Sequence, residues 1–126
     1  MIDIFGQPHP GSHRPFSHAT RAGGFVFVSG HSAPHDPPGG IHRGETAAEQ
    51  VREALAEMAR ILAEAGSSMD RVVMVTMLIT DSADYHACNA EYVKHFPNGL
   101  PARHTARFGV PTEAKVGFSC IAVAAA

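Results

Sequence analysis

The sequence predicts a single α+β domain in the order β-β-α-β-α-β-β, with one mixed sheet and two helices on one face. Three observations carry this: a capped amphipathic repeat over 47–65, a strand-length run apolar at nearly every position over 72–79, and extended segments on either side set off by glycine and proline. At 126 residues the chain is about one domain long and can bury one core. Its 44% hydrophobic and 17% charged residues place it with globular rather than disordered chains.

Residues 1–14 are rich in Pro, Gly and His without periodicity and read as an irregular arm before the domain proper at 15–126. "FSHATRAGGFVFVSGHS" holds two extended runs separated by Ala-Gly-Gly, which predicts a hairpin. "APHDPPGGIHRGE" is a loop, with a short strand expected around Ile41. Thr46 and Glu49 have the spacing of a capping box, in which hydroxyl and carboxylate satisfy reciprocal orphan amides. Val51, Leu55, Met58 and Leu62 then recur at steps of three and four, and Ile61 widens the stripe. Gly66 stands where a left-handed residue ends the helix. "DRVVMVTMLITD" is a strand; Asp81 or Ser82 can cap a second helix through "ADYHACNAEYVKHF", which Pro97 and Gly99 end. Strands at "ARHTARFG" and "KVGFSCIAVAA" close the chain.

Both faces of the 72–79 strand and of "FVFV" are apolar, yet two helices cover only one face of a sheet. The other face would leave a large apolar patch on a monomer, so a homo-oligomer is expected. The alternative is a central strand deep in a curled monomeric barrel.

Charge and motifs exclude several function classes. Net charge is −2 and the ten Lys and Arg are scattered, which leaves no footprint for a nucleic-acid backbone. The N-terminus does not read as a signal peptide, and no apolar run reaches the ~18 residues of a membrane span. Cys88 and Cys120 form no metal-type pair and read as reduced thiols of a cytoplasmic protein. No HExxH or paired-cysteine spacing occurs, so no metal site is expected; "HPGSH" is at most a weak surface chelate.

Three stretches, "RPFSHATRAGGFVFVSGHSAP", "EAGSSMDRVVMVTMLITDSADYHACNAEYVKHF" and "LPARHTARFGVP", resemble the RidA/YjgF/UK114 family of reactive-intermediate deaminases over about residues 15–125. The resemblance implies a chorismate-mutase-like fold and a homotrimeric barrel with active sites between subunits. It also implies cofactor-independent hydrolysis of enamines and imines such as 2-aminoacrylate and 2-iminobutanoate to 2-oxo acids and ammonia.

Arg103 corresponds to the family's substrate arginine, and its planar, permanently charged fork suits a carboxylate; the alternative is a structural salt bridge. Thr105 shares its strand face by alternation, and its backbone carbonyl corresponds to one that holds the attacking water. Arg107 on the same face reads as a rim or interface charge. Phe16 stands where tyrosine is usual and can wall the pocket without donating a hydrogen bond. Ser29 and Gly30 correspond to a Ser-Gly turn, with Ser29 either a substrate contact or a strand-end hydroxyl bonded to backbone. His31 replaces a common glutamine, and Asn89 is a second-helix amide that ties helix to sheet or touches substrate.

The departure that matters most is "VGFSCIAV", where Ser119 takes the place of a water-activating glutamate and Gly117 that of another acid. A hydroxyl is a poor general base, and loss of general-base assistance costs about 10²–10⁴-fold. Among nine histidines, His18, His31 and His104 are candidates to substitute, although alternation turns His104 away from Arg103. Glu113 reads as a loop charge. The reading is a cofactor-free imine or enamine deaminase with small carboxylate-bearing substrates, extending to a specialised one such as 2-aminomuconate. The alternative is a non-catalytic trimeric binder of small carboxylates, a sensor or accessory protein. Endoribonuclease activity is disfavoured by the acidic balance.

Overall fold

The hairpin forms around a two-residue turn: Ala22 pairs with Phe25, and Gly23 and Gly24 between them have φ of 60° and 83°. Positive φ at both positions matches the right-handed twist of the flanking strands, and only glycine adopts it without strain. The structure, a computed structural model, describes residues 1–33 and 40–126. Its strands are β1 (Asp3–Phe5), β2 (Ala19–Ala22), β3 (Phe25–His31), β4 (Val72–Ile79), β5 (Ala102–Arg107) and β6 (Val116–Val123), and its α-helices are α1 (Ala47–Glu64) and α2 (Tyr85–Tyr92).

One expectation fails at the N-terminus. The arm is not wholly irregular, because β1 pairs antiparallel with β2 from Asp3–Arg21 to Phe5–Ala19. Three residues are too few for a period-two pattern to show. Ile41 lies in no strand, and the rest of that proline-rich loop, 34–39, lies outside the described residues.

Helix α1 is built as its sequence requires. The Thr46 hydroxyl accepts from the Glu49 amide at 3.1 Å while the Glu49 carboxylate accepts from the Thr46 amide, completing the capping box. At the other end the Gly66 amide donates to Ala63 and the Ser67 amide to Leu62, a Schellman arrangement that uses the positive φ of Gly66. Val51, Ala54, Leu55, Met58, Ile61 and Leu62 are fully buried, each contributing in the order of 1.5–3 kcal/mol for the large side chains. The second helix is shorter than its pattern suggests. The Asp81 carboxylate accepts from the Ala83 amide, and the chain tightens to 3-10 turns at Ser82–Asp84 and Val93–His95 on either side of α2.

The sheet runs β1-β2-β3-β6-β4-β5, all neighbours antiparallel except the parallel pair β4–β5. Register separates its faces. Val26, Val28, Val75, Met77, Phe118, Cys120 and Ala122 point to the helices and form one core with α1, Cys88, Tyr92 and Phe96. On the other face Phe25, Phe27 and Val123 stand 38–42% exposed. The strand that is apolar on both sides is therefore covered on one side only within a protomer. Both cysteines are buried and free, and burial pushes the Cys120 thiol up to about 12.

Candidate active site

Two clusters of candidate residues form, one on each face of the sheet. Strand β5 places Arg103 opposite Val75, whose side chain faces the helices, so Arg103 emerges on the helix side at the sheet edge. There its guanidinium carbon lies 4.7 Å above the Tyr92 ring centre and 5.8 Å from that of Tyr85, and it donates to the Tyr85 hydroxyl at 3.3 Å. Among the described residues no carboxylate pairs with it. Arg103 also lines a cleft with Asn89, Tyr92, Val93, Leu100 and Pro101. Asn89 Oδ1 and the Tyr92 hydroxyl are buried in this cluster without a hydrogen-bond partner. Buried polar atoms are almost always satisfied, so two orphans beside a carboxylate-free arginine mark a place for a polar ligand. Burial raises the Tyr92 hydroxyl to about 12, which keeps it protonated and able to donate.

Thr105 lies two residues on, on the same face. The Phe108 amide donates to the Ile79 carbonyl at 3.1 Å, and alternation then turns the backbone carbonyls of Arg103 and Thr105 toward the unpaired edge of β5. Arg107 is exposed on this face.

The second cluster is a cavity of about 190 Å³ on the open face, lined by Gly30, His31, Ser32, Thr76, Leu78, Phe108, Gly117, Phe118 and Ser119. Register sets Ser119, Thr76 and His104 in one row across β6, β4 and β5. A bulge between Val28 and His31 takes Ser29 and Gly30 out of the ladder and opens the cavity's rim. The Ser29 hydroxyl donates to the Ser17 carbonyl at 2.6 Å, so it braces backbone. His31 is buried, with Nε2 2.9 Å from the Ala54 carbonyl and Nδ1 3.0 Å from the Ser29 carbonyl. One of these contacts is a donated hydrogen bond, the tautomer deciding which, and together they tie the bulge to α1.

The other sequence candidates line neither cluster. Phe16 is 41% exposed, with the Arg14 guanidinium 5.8 Å from its ring centre. The His18 ring is wedged against Gly6, where a Cβ would fall 2.1 Å from Nδ1. Burial, with Arg14 nearby, lowers the His18 pKa and favours its neutral form. Glu113 is exposed. Among the described residues no group of three or more His, Cys, Asp or Glu could hold a metal ion. The sequence reading missed Tyr85 and Tyr92, although Tyr85, Asn89 and Tyr92 fall at i, i+4 and i+7, one face of a helix. It also missed Thr76, Leu78 and Phe108, which only the strand order brings to Ser119. Arg103 and Ser119 point to opposite faces, so one protomer does not bring them together.

The endoribonuclease L-PSP family model matches residues 7–124. "Protein mmf2, mitochondrial" of Schizosaccharomyces pombe is 37% identical over 112 residues, 86% of each chain. "Reactive Intermediate Deaminase A, chloroplastic" of Arabidopsis thaliana is 34% identical over 114 residues, covering 90% of this chain and 60% of the plant protein. "3-aminoacrylate deaminase RutC" of Acinetobacter baylyi is 35% identical over 96 residues, 76% of this chain and 75% of that one. Among solved structures, NMB1025 of Neisseria meningitidis, a member of the YjgF protein family, superposes with a TM-score of 0.82 at 30% identity, covering 100% of this chain and 97% of that one.

Proposed function

The chain belongs to the endoribonuclease L-PSP family, the RidA/YjgF group its sequence resembles, and from that premise we propose that it is a cofactor-independent hydrolytic deaminase. Its substrates are small reactive enamines and imines of the 2-aminoacrylate and 2-iminobutanoate type, and its products are 2-oxo acids and ammonia. Relatives named for reactive-intermediate and 3-aminoacrylate deamination support the reaction class. The observation that carries the reading is Arg103: a guanidinium with no carboxylate partner among the described residues, held on two tyrosine rings beside two unpaired buried polar atoms.

The chemistry asks little more of the protein than orientation. An enamine tautomerises to the imine, which is protonated and already electrophilic at C2. The Arg103 fork fixes the plane of the substrate carboxylate, with Asn89 and the protonated Tyr92 hydroxyl as further polar partners. Water then adds to C2, a proton moves to nitrogen, and the carbon–nitrogen bond breaks as the carbonyl forms. The Thr105 carbonyl at the free edge of β5, and the Ser119 and Thr76 hydroxyls, are the groups that can orient that water. Among the described residues no carboxylate lines the open-face cavity.

Because Arg103 and Ser119 face opposite sides of the sheet, a complete site needs two protomers. A homotrimer that covers the apolar open face meets both needs, with Arg103 of one protomer beside the Ser119 cavity of the next. The two free, buried thiols suit a reducing compartment such as the cytoplasm; among the described residues no helix is long and apolar enough to cross a membrane.

The test is ammonia and 2-oxobutanoate release from 2-iminobutanoate generated in situ. Wild type is expected to exceed spontaneous hydrolysis, and Arg103→Ala to lose about 100-fold or more, the usual order for a misplaced substrate. A wild-type rate equal to buffer sinks the scavenger reading for this substrate. The lack of a carboxylate at Ser119 favours one competitor, a non-catalytic binder of small carboxylates, which would bind 2-oxobutanoate through Arg103 and release no ammonia. A specialised catabolic substrate such as 2-aminomuconate would be turned over in preference to 2-iminobutanoate.

A further inference from the structure

We infer that His104 is the general base that draws a proton from the attacking water, a task the family gives to a glutamate where this chain has Ser119. The inference rests on the deaminase reading above and supplies its missing proton acceptor.

Alternation turns His104 away from Arg103, and that is the face on which Ser119 stands. Strand β5 sets His104 opposite Thr76 of β4, and β4 sets Thr76 opposite Ser119 of β6. Neighbouring strands lie about 4.8 Å apart, so Thr76 is one strand spacing from each. A water held by the Thr76 hydroxyl at the cavity's edge is thus within reach of an imidazole leaning across from β5. Ala102 and Ala106, two residues to either side on the same face, carry only a methyl group and leave the ring room. The ring is exposed, and among the described residues it has no hydrogen-bond or ion-pair partner.

The neighbours on this face are not bases. Met74, Thr76 and Leu78 of β4 and Gly117, Ser119 and Ile121 of β6 share it, and none of them ionises near neutrality. Arg103 and Arg107 turn to the opposite face of β5. Arg43 donates to the hydroxyl of Ser32 on the cavity wall at 3.0 Å, but arginine is a permanent cation and accepts no proton from water. Among the described residues the competitor is His31, buried in the cavity wall with its nitrogens 3.0 and 2.9 Å from backbone carbonyls. An imidazole exchanges protons near neutrality, which the Ser119 hydroxyl does not.

The step moves one proton at a time. Imidazole takes a proton from water as oxygen bonds to C2, and the π pair of the protonated imine passes to nitrogen. The imidazolium then returns that proton to nitrogen. The carbon–nitrogen bond breaks with its pair on ammonia, the carbonyl forms, and the hydroxyl proton leaves to give ammonium.

The experiment measures kcat and KM for 2-iminobutanoate between about pH 5.5 and 8, with spontaneous hydrolysis subtracted at each pH. Wild type is expected to show an acid limb in this range. His104→Gln should lose that limb and about 100-fold or more in kcat, the order of general-base assistance, with KM little changed. Imidazole in the buffer should restore His104→Ala by about tenfold or more, a response that a merely structural ring would not give. Sedimentation velocity checks that both variants assemble as wild type does.

An active wild type with His104→Gln within about threefold of it overturns the base and leaves the deaminase reading intact. A loss carried by KM at constant kcat makes His104 a binding group and overturns it too. So does an acid limb that survives His104→Gln and disappears in His31→Gln. A wild type no faster than buffer sinks the deaminase reading, and this base with it.

Discussion

The two faces of the sheet carry similar side chains and meet different fates. On the helix side Val26, Val75 and Met77 are wholly buried beneath α1 and α2, whereas on the open side Phe25, Phe27 and Val123 keep about two-fifths of their surface. Alternation assigns each residue to a face, but only the number of covering elements decides whether that face is dry. The chemistry divides along the same line, with Arg103 on the helix side and Ser119 on the open side. The core completes a protomer; the open face is left for the proposed assembly to complete.

The largest effect should come from charging the open face. Phe27→Glu is expected to convert the proposed trimer to folded protomers and to abolish the proposed deamination, read by sedimentation velocity alongside far-ultraviolet circular dichroism. A Phe27→Glu trimer of full activity would break the comparison. On the covered face the same kind of insult strikes folding instead. Leu55→Ala should cost about 2–5 kcal/mol of stability, measured by urea denaturation, at any assembly state that survives.

A smaller effect separates the helix side electrostatically. Glu91 is buried, and the hydrogen bond from His95, followed by those from Arg52 and Lys94, holds its carboxyl down from 4.5 to about 2 against the opposing effect of burial. A depressed carboxyl stabilises the fold fully above its unfolded value and loses that contribution as pH falls toward 2. The urea midpoint should therefore drop between pH 5 and pH 2.5, and Glu91→Gln should flatten that dependence; an unchanged slope would show the cluster to be inert. The smallest effect is the cap. Thr46→Ala should cost about 1 kcal/mol, visible as a modest fall in Tm with no change in assembly.

Much of the covered side was legible in the sequence because its determinants are local. The capping box at Thr46 and Glu49, the stripe through Leu55 and Met58, and Gly66 at the helix end all act within a few residues. The hairpin was legible for the same reason at Gly23 and Gly24. What escaped were long-range consequences: β1, whose three residues make sense only against β2, and the insertion of β6 between β3 and β4, which sets Thr76 beside Ser119. At the site, Arg103 was recognisable from its motif, but the Tyr85 and Tyr92 shelf depends on how α2 lies against β5. The two backbone carbonyls that meet the His31 ring come from a bulge and from a helix 23 residues away. No local pattern announces either partner.

The rims of the sheet bring a hazard of their own. An unpaired strand is a template on which another chain can grow, and a flat apolar rim invites fibres. At one end β1 is only three residues long, too short to nucleate a cross-chain ladder. At the other, β5 presents the free backbone groups of Arg103, Thr105 and Arg107, and within six residues it carries two arginines and a histidine. Two identical copies of this rim brought side by side would set arginine against arginine. The guanidinium proposed to grip a substrate would thus also keep the protein from polymerising through its own edge.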